Sequence, residues 1–292
     1  MDKNNKLLVL ILSYEKDPWL KIQEEGQDLT FMPEASEKSI VLRYVGKSMR
    51  LPLQYKAIFV LKRWQHAMTR YSNYWPLSTI IKPLTHSRFA DRSIRSIPYS
   101  HKDQASVKSV EVSVDGKLWG KIVTESPEEA SLIGLRTILA LKHVLKNYNF
   151  DYLFRTNTSS YLDVSKLLEF LESQGKKNLY GGIVGRVFRD IQFASGGGIL
   201  LSRDLVERIC DAEISWKHGL IDDVALAGVI AGLEGTTVPL VPLGRLDISS
   251  IEAALSTDPQ LIIDNFHFRC KSESAQATVD IMHHIHKVKK ST

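Results

Sequence analysis

Cysteine is scarce in this chain. Cys210 and Cys270 are the only two among 292 residues, and their separation fits neither a metal-ligand cluster nor a redox CxxC pair. A disulfide scaffold is excluded, and two buried, reduced thiols are expected. Long hydrophobic runs are missing too. The early apolar stretch at residues 7–12 (LLVLIL) falls short of the roughly 20 residues that span a bilayer. Ser13, Tyr14 and Glu15 follow it where a signal peptide would carry small residues for cleavage. It reads as a first buried strand, in a chain expected in the cytoplasm. Charge of one sign does not dominate: 38 Lys plus Arg against 33 Asp plus Glu leave a net charge of +5. That favours anionic partners, but the basic residues are dispersed with no nucleic-acid motif among them, so nucleic acid is not an expected partner.

What is present describes an α/β chain. Apolar runs at 7–12, 39–44 and 57–61 alternate with polar segments, the rhythm of a parallel sheet. Residues 82–104 break it with Arg88, Arg92, Arg95, His101 and Lys102 and read as an exposed basic loop. Ser126, Pro127 and Glu129 spell a capping box and predict a helix from there to about Asn147. A short strand at 152–154 then delivers Arg155, Asn157, Thr158 and Ser159 at its carboxyl end, where open α/β sheets bind ligands. A helix at 163–172, a strand at 179–184, an apolar run at 193–201 opened by three glycines, and a helix at 203–211 capped by Ser202 follow. A further helix ends near Gly232, and residues 238–241 read as a late strand.

Two features point to chemistry. Gly196, Gly197 and Gly198 let a backbone approach a ligand closely and permit positive φ, although a bulge or turn explains them equally well, and the spacing is not GxGxxG. Asp222 and Asp223 stand together at a predicted helix start. One acid suffices for a cap, which leaves the other for a ligand or for proton transfer.

The order of these features resembles the fringe and β-1,3-galactosyltransferase-like glycosyltransferases. The resemblance rests on residues 7–14, the capped helix, residues 151–163, Tyr180-Gly181-Gly182, residues 194–198, Ser202-Arg203-Asp204 and Ile221-Asp222-Asp223-Val224, and covers roughly 115–241. It implies one GT-A-like domain over 1–292: a Rossmann-type mixed central sheet flanked by helices. A nucleotide-binding half would occupy about 1–160 and an acceptor-binding half about 161–275, with a basic tail at 276–292. The implied reaction is inverting transfer of a hexosyl group from a nucleotide-diphosphate sugar, usually UDP-linked in that family, to a glycan or glycoconjugate hydroxyl. Asp223 is then the base, with Asp222 orienting the acceptor or capping the helix. Ser13, Tyr14, Arg155, Asn157, Thr158, Ser159 and the three glycines lie on the donor side. The alternative is a non-catalytic nucleotide- or carbohydrate-binding relative.

The sequence departs from the family at one place. Where the family carries an acidic run that holds a divalent metal, Asn157, Thr158 and Ser159 stand here, poor sole ligands for a hard cation. Metal-independent transfer without a cofactor is expected, with manganese or magnesium held by Asp163 or another acid brought close by folding, water filling the remaining positions, as the alternative. His267, Arg269 and Lys271 alternate in a late segment and, if extended, face one side, a source of replacement positive charge or merely the solvated face of an edge strand. Residues 282–290, with three histidines and three lysines, read as a solvated basic tail with at most weak peripheral contact to an anionic membrane.

Overall fold

The computed structural model describes residues 5–34, 36–47, 107–114, 117–128, 132–185, 192–218, 220–235 and 237–291. The expected strand at 57–61 and the basic loop at 82–104 lie outside them. The chain begins with β1 (Asn5–Leu12), a helical turn at Trp19–Lys21 that continues as a π-helix over Ile22–Gln27, and β2 (Ser39–Lys47). Next come β3 (Val107–Val114), β4 (Lys117–Pro127), helix α1 (Ile133–Asn147), β5 (Phe150–Asn157), β6 (Ser160–Leu162) and α2 (Val164–Leu171). They are followed by β7 (Tyr180–Val184), β8 (Ala194–Ser202), α3 (Arg203–Asp211), α4 (Asp222–Ala231), β9 (Leu240–Pro242) and β10 (Leu246–Asp247). Two short helices, α5 (Ile251–Ser256) and α6 (Pro259–Asp264), precede β11 (His267–Arg269) and the last helix, α7 (Ala275–Lys290).

Among the described residues, eight strands form one mixed sheet in the order β3-β4-β2-β1-β5-β8-β7-β9. The chain is thus α/β with a mostly parallel sheet: β4, β2, β1, β5, β7 and β9 run one way, and β3 and β8 run against them. Helices cover both faces, which is why β1 reads as an unbroken apolar run rather than an alternating one. Its Leu8 and Leu10 join a core with Leu135 and Ile138 of α1, Leu205 of α3 and Leu226 of α4. Its Leu7, Val9 and Ile11 join a second core with Ile22, Leu167 of α2, Ile262 of α6 and Met282 of α7. The α2 helix follows its sequence signals closely: the Asp163 side chain accepts the Lys166 N–H at 2.9 Å, and Val164, Leu167, Leu168 and Leu171 form the buried stripe. A small sheet, β10-β11-β6, lies apart from the large one.

Four expectations are corrected. Ser126 caps nothing: β4 continues through Pro127, paired to β2 as far as Lys47, and α1 starts only at Ile133. Long-range pairing with β2 overrides the local capping signal. Ser202 precedes α3 but makes no cap bond, because its hydroxyl is taken by the Leu179 N–H at 2.9 Å. The late strand is Leu240–Pro242 rather than 238–241. The basic tail is a packed helix: Val279, Ile281, Met282 and Ile285 of α7 are buried, Lys289 pairs with Asp163 at 2.8 Å, and Lys290 pairs with Glu34 at 2.5 Å. Two of the lysines offered to a membrane are therefore already engaged. Cys210 and Cys270 are free and buried, as expected. Among the described residues no helix is long and apolar enough to cross a membrane.

Candidate functional site

The chain leaves β1 toward β2 on one side and returns later to place β5 on its other side. Such a reversal opens a crevice at the carboxyl ends of the two central strands, the usual ligand position in an open α/β sheet. Ser13 and Tyr14 follow β1 there, and Asn157, Thr158 and Ser159 follow β5. Thr158 ties the two ends together: its N–H and its hydroxyl donate to the Leu12 carbonyl at 3.2 and 3.0 Å, and the hydroxyl lies 3.3 Å from Ser13 Oγ.

The turn after β5 is held from outside by a residue with no sequence signal. Gln27 Nε2 donates to the carbonyls of Thr158 at 3.0 Å, Ser160 at 3.2 Å and Asn157 at 3.5 Å. Gln27 is in turn aimed by Arg43, whose Nε and Nη2 donate to its Oε1 at 3.3 and 3.2 Å. Within the turn, Asn157 Oδ1 accepts the hydroxyls of Ser159 at 3.0 Å and Ser160 at 3.2 Å. Ser13, Thr158 and Ser159 are all buried. The hydroxyls of these three, expected on the donor side, are engaged in the architecture of the crevice, and half-buried Asn157 turns its side-chain nitrogen toward Gly197.

The glycine run is a bulge and also a close approach. Between the pairs Gly182–Ile199 and Val184–Ala194, β8 advances five residues (199 − 194) while β7 advances two (184 − 182), so the run bows out of the ladder. Positive φ is not what it supplies; among the described residues only Gly235 is a glycine in that region. Close approach is. A Cβ on Gly196 would stand 2.4 Å from Arg155 Nη1, and one on Gly198 would stand 2.4 Å from the His267 ring. A Cβ on Gly197 would meet three nitrogen groups: Arg245 Nη1 at 3.0 Å, Asn157 Nδ2 at 3.4 Å and Arg269 Nη1 at 3.9 Å.

On the Gly196 side lie the two acids at the start of α4, and they have separate tasks. Asp222 pairs with buried Arg155 at 2.5 Å, and Arg155 also donates to the Tyr44 hydroxyl at 2.9 Å and the Gly196 carbonyl at 2.5 Å. Burial works against the Arg155 charge, but Asp222 and Tyr44 override it and hold the guanidinium above the ordinary arginine value. Asp223 accepts the Gly196 N–H at 3.0 Å on Oδ2 and the Val224 N–H at 2.9 Å on Oδ1. Desolvation and the neighbouring Asp222 charge push its carboxyl above the ordinary aspartate value, against the pull of those N–H groups and of Arg155. Such a shift improves a general base. Tyr14 sits half-buried at the rim, its ring 4.7 Å beneath the Arg136 guanidinium.

On the Gly197 and Gly198 side the late segment arrives as β11, the central strand of the small sheet rather than an edge. His267 is buried, and its Nε2 has no hydrogen-bond partner among the described residues. It is not the cation the sequence offered: burial, with Arg245 and Arg269 adding to it, pushes its value down to about 3. Lys271 lies beyond the strand, exposed, and no contact brings it to the glycines. Of the three residues the sequence offered, Arg269 does approach the glycine run, and Arg245, which the sequence did not single out, joins it there.

Neutral His267 has a measurable signature. A depressed histidine contributes stability that is present above its ordinary value of 6.5 and is lost as pH falls from there toward about 3. Unfolding midpoints measured across that window should fall more steeply for the wild-type chain than for His267→Gln; parallel curves would mean that the ring titrates freely.

Among the described residues, the expected metal positions present few carboxylates. Asn157, Thr158 and Ser159 present neutral oxygens already committed to one another, to Leu12 and to Ser13, whereas a hard cation takes carboxylates. Asp163 is occupied as the α2 cap and as the partner of Lys289. Among the described residues no three His, Cys, Asp or Glu side chains converge.

The sequence matches no family model, and no curated protein matches it.

Proposed function

We propose that this chain is an inverting glycosyltransferase of GT-A architecture, transferring a sugar from a nucleotide-diphosphate donor, UDP-linked by the family resemblance, to a hydroxyl of a glycan or glycoconjugate. The observation that carries the reading is the division of labour around the glycine run. A desolvated carboxylate, Asp223, touches Gly196, while guanidinium and amide nitrogens converge on Gly197. A base on one side and anion-binding donors on the other are what a displacement at an anomeric carbon requires. The acceptor oxygen forms a bond to that carbon, the bond to the diphosphate oxygen breaks with its electron pair, and the acceptor proton passes to Asp223 Oδ2. Inversion follows from attack opposite the leaving group.

Asp222 acts indirectly: by neutralising Arg155 it fixes the residue that binds the Gly196 carbonyl and so sets the position of the glycine run. The leaving diphosphate gathers charge, and Arg269 at the glycine run meets it without an ion.

A thermal-shift screen of nucleotide sugars comes first, because a donor present at a hundred times its dissociation constant adds about 2.7 kcal/mol of stability. Transfer from the donor found is then assayed in excess chelator and again after manganese is supplied. Undiminished, chelator-insensitive transfer with inversion is the expected result. Loss on chelation that manganese restores would overturn the metal-free mechanism. Binding with no turnover of any donor and acceptor pair would favour a non-catalytic relative.

A further inference from the structure

We propose that Arg245 and Arg269, with the Asn157 amide, form a diphosphate-binding subsite at Gly197 in which Arg245 is the inner donor, aimed by Asp247. This deepens the transferase reading and rests on it for the identity of the natural ligand. Its geometry stands independently. Three nitrogen donors approach within 4 Å of the point where a Gly197 side chain would begin. Two of them are cationic. Asn157 presents nitrogen rather than oxygen there because the hydroxyls of Ser159 and Ser160 both donate to its Oδ1, which fixes the orientation of the amide.

Arg245 is the most informative of the three. Its side chain is 8% exposed, yet Nη1 has no hydrogen-bond partner among the described residues. The other edge of the guanidinium is fully used: Nε and Nη2 donate to the two carboxylate oxygens of Asp247 at 2.5 and 2.8 Å. That bidentate grip fixes the plane of the group and leaves Nη1 turned to Gly197. A buried cationic N–H without an acceptor is costly, and such groups in folded proteins ordinarily find a partner. Arg269 stands half-buried at the outer side of the same gap, with no carboxylate among the described residues paired to it. Two guanidiniums so placed suit a group carrying two adjacent phosphates better than a single phosphate. Asp247, exposed and away from the gap, is a positioning residue.

The test uses the full chain and two probes, inorganic pyrophosphate and orthophosphate, titrated calorimetrically in the presence of chelator. Pyrophosphate should bind more tightly than orthophosphate. Arg245→Gln should weaken pyrophosphate about tenfold or more and collapse the preference between the probes, as the loss of a charged hydrogen bond implies. Asp247→Asn should reduce that preference several-fold; it also lowers the unfolding midpoint, because Arg245 is 8% exposed and loses its counter-charge, so the change in preference between the two probes, which a loss of stability alone would not alter, is the readout. Should Arg245→Gln not fold, Arg245→Lys keeps the charge but loses the fork that holds Asp247, and it should also weaken pyrophosphate about tenfold. Wild-type chain that does not bind pyrophosphate, or a folded variant that binds it as wild type does, overturns the subsite. The two readings fail separately: Arg245-dependent pyrophosphate binding without sugar transfer retires the transferase and keeps the subsite. Transfer that is indifferent to Arg245→Gln does the reverse.

Discussion

Asp223→Asn is expected to lower sugar transfer by about 10²-fold or more while donor binding stays within a few-fold of wild type. The substitution keeps the shape and leaves an amide oxygen to accept the Gly196 N–H now bound at 3.0 Å, so the glycine run stays in place, although the amide nitrogen then stands where Oδ1 accepted the Val224 N–H. What disappears is the group that takes the acceptor proton. For the wild-type chain the acid limb of any transfer rate should lie above the ordinary aspartate value, because desolvation and Asp222 raise the Asp223 carboxyl. The sign for stability is the opposite of that for activity. A carboxyl raised by folding contributes stability below its unfolded value of 3.8, and that contribution is lost as pH rises through the folded value. At neutral pH the relief of the desolvated charge opposes the loss of the Val224 N–H acceptor, so the stability of the Asn variant should lie within about 1 kcal/mol of wild type while its transfer is nearly gone. Near-normal turnover in a folded Asp223→Asn protein would remove Asp223 from the mechanism.

Asp222→Ala is expected to cost about 3–5 kcal/mol of stability, because it strands a guanidinium whose side chain is only 5% exposed. The Tyr44 hydroxyl and the Gly196 carbonyl cannot neutralise the charge that Asp222 leaves behind. Denaturant midpoints and slopes measure the loss. Pairing Asp222→Ala with Arg155→Met should recover much of it, since the cost belongs to the uncompensated charge and not to the ion pair as such. A loss below about 1 kcal/mol for the single variant would mean that Arg155 relaxes toward water, and Asp222 would then have to be reconsidered as the acid that meets the acceptor.

Local patterns were legible in the sequence and long-range ones were not. Residues 7–12 announce β1 because burial on both faces leaves no polar position, and Asp163 announces α2 because its cap is complete within four residues. Asp222 and Asp223 stand out by adjacency alone. Ser126 misleads for the converse reason: its capping box is intact in sequence, but the ladder to β2 is made by residues about 80 positions away in the chain. The final helix was hidden by its composition. Its lysines and histidines drew attention, while the buried row of Val279, Met282 and Ile285 that packs it down was diluted among them. Gln27 and Arg245 left no mark, since a single glutamine or arginine acquires its meaning only from what folding brings to it.

The contact between α7 and the π-helix has a consequence for the order of assembly. His283 Nε2 meets the Glu25 carbonyl at 2.7 Å across 258 positions of sequence, and Met282 lies against Gly26 one residue short of Gln27. The amide that shapes the crevice is thus seated on a segment clamped by the helix nearest the other end of the described chain. Closing a loop of that length is an entropic expense met only after much of the sheet has formed. On that ground the crevice is expected to take its final shape late in folding, and a chain lacking residues 275–290 would hold the acid pair and the glycines without the clamp behind Gln27 and the turn after β5.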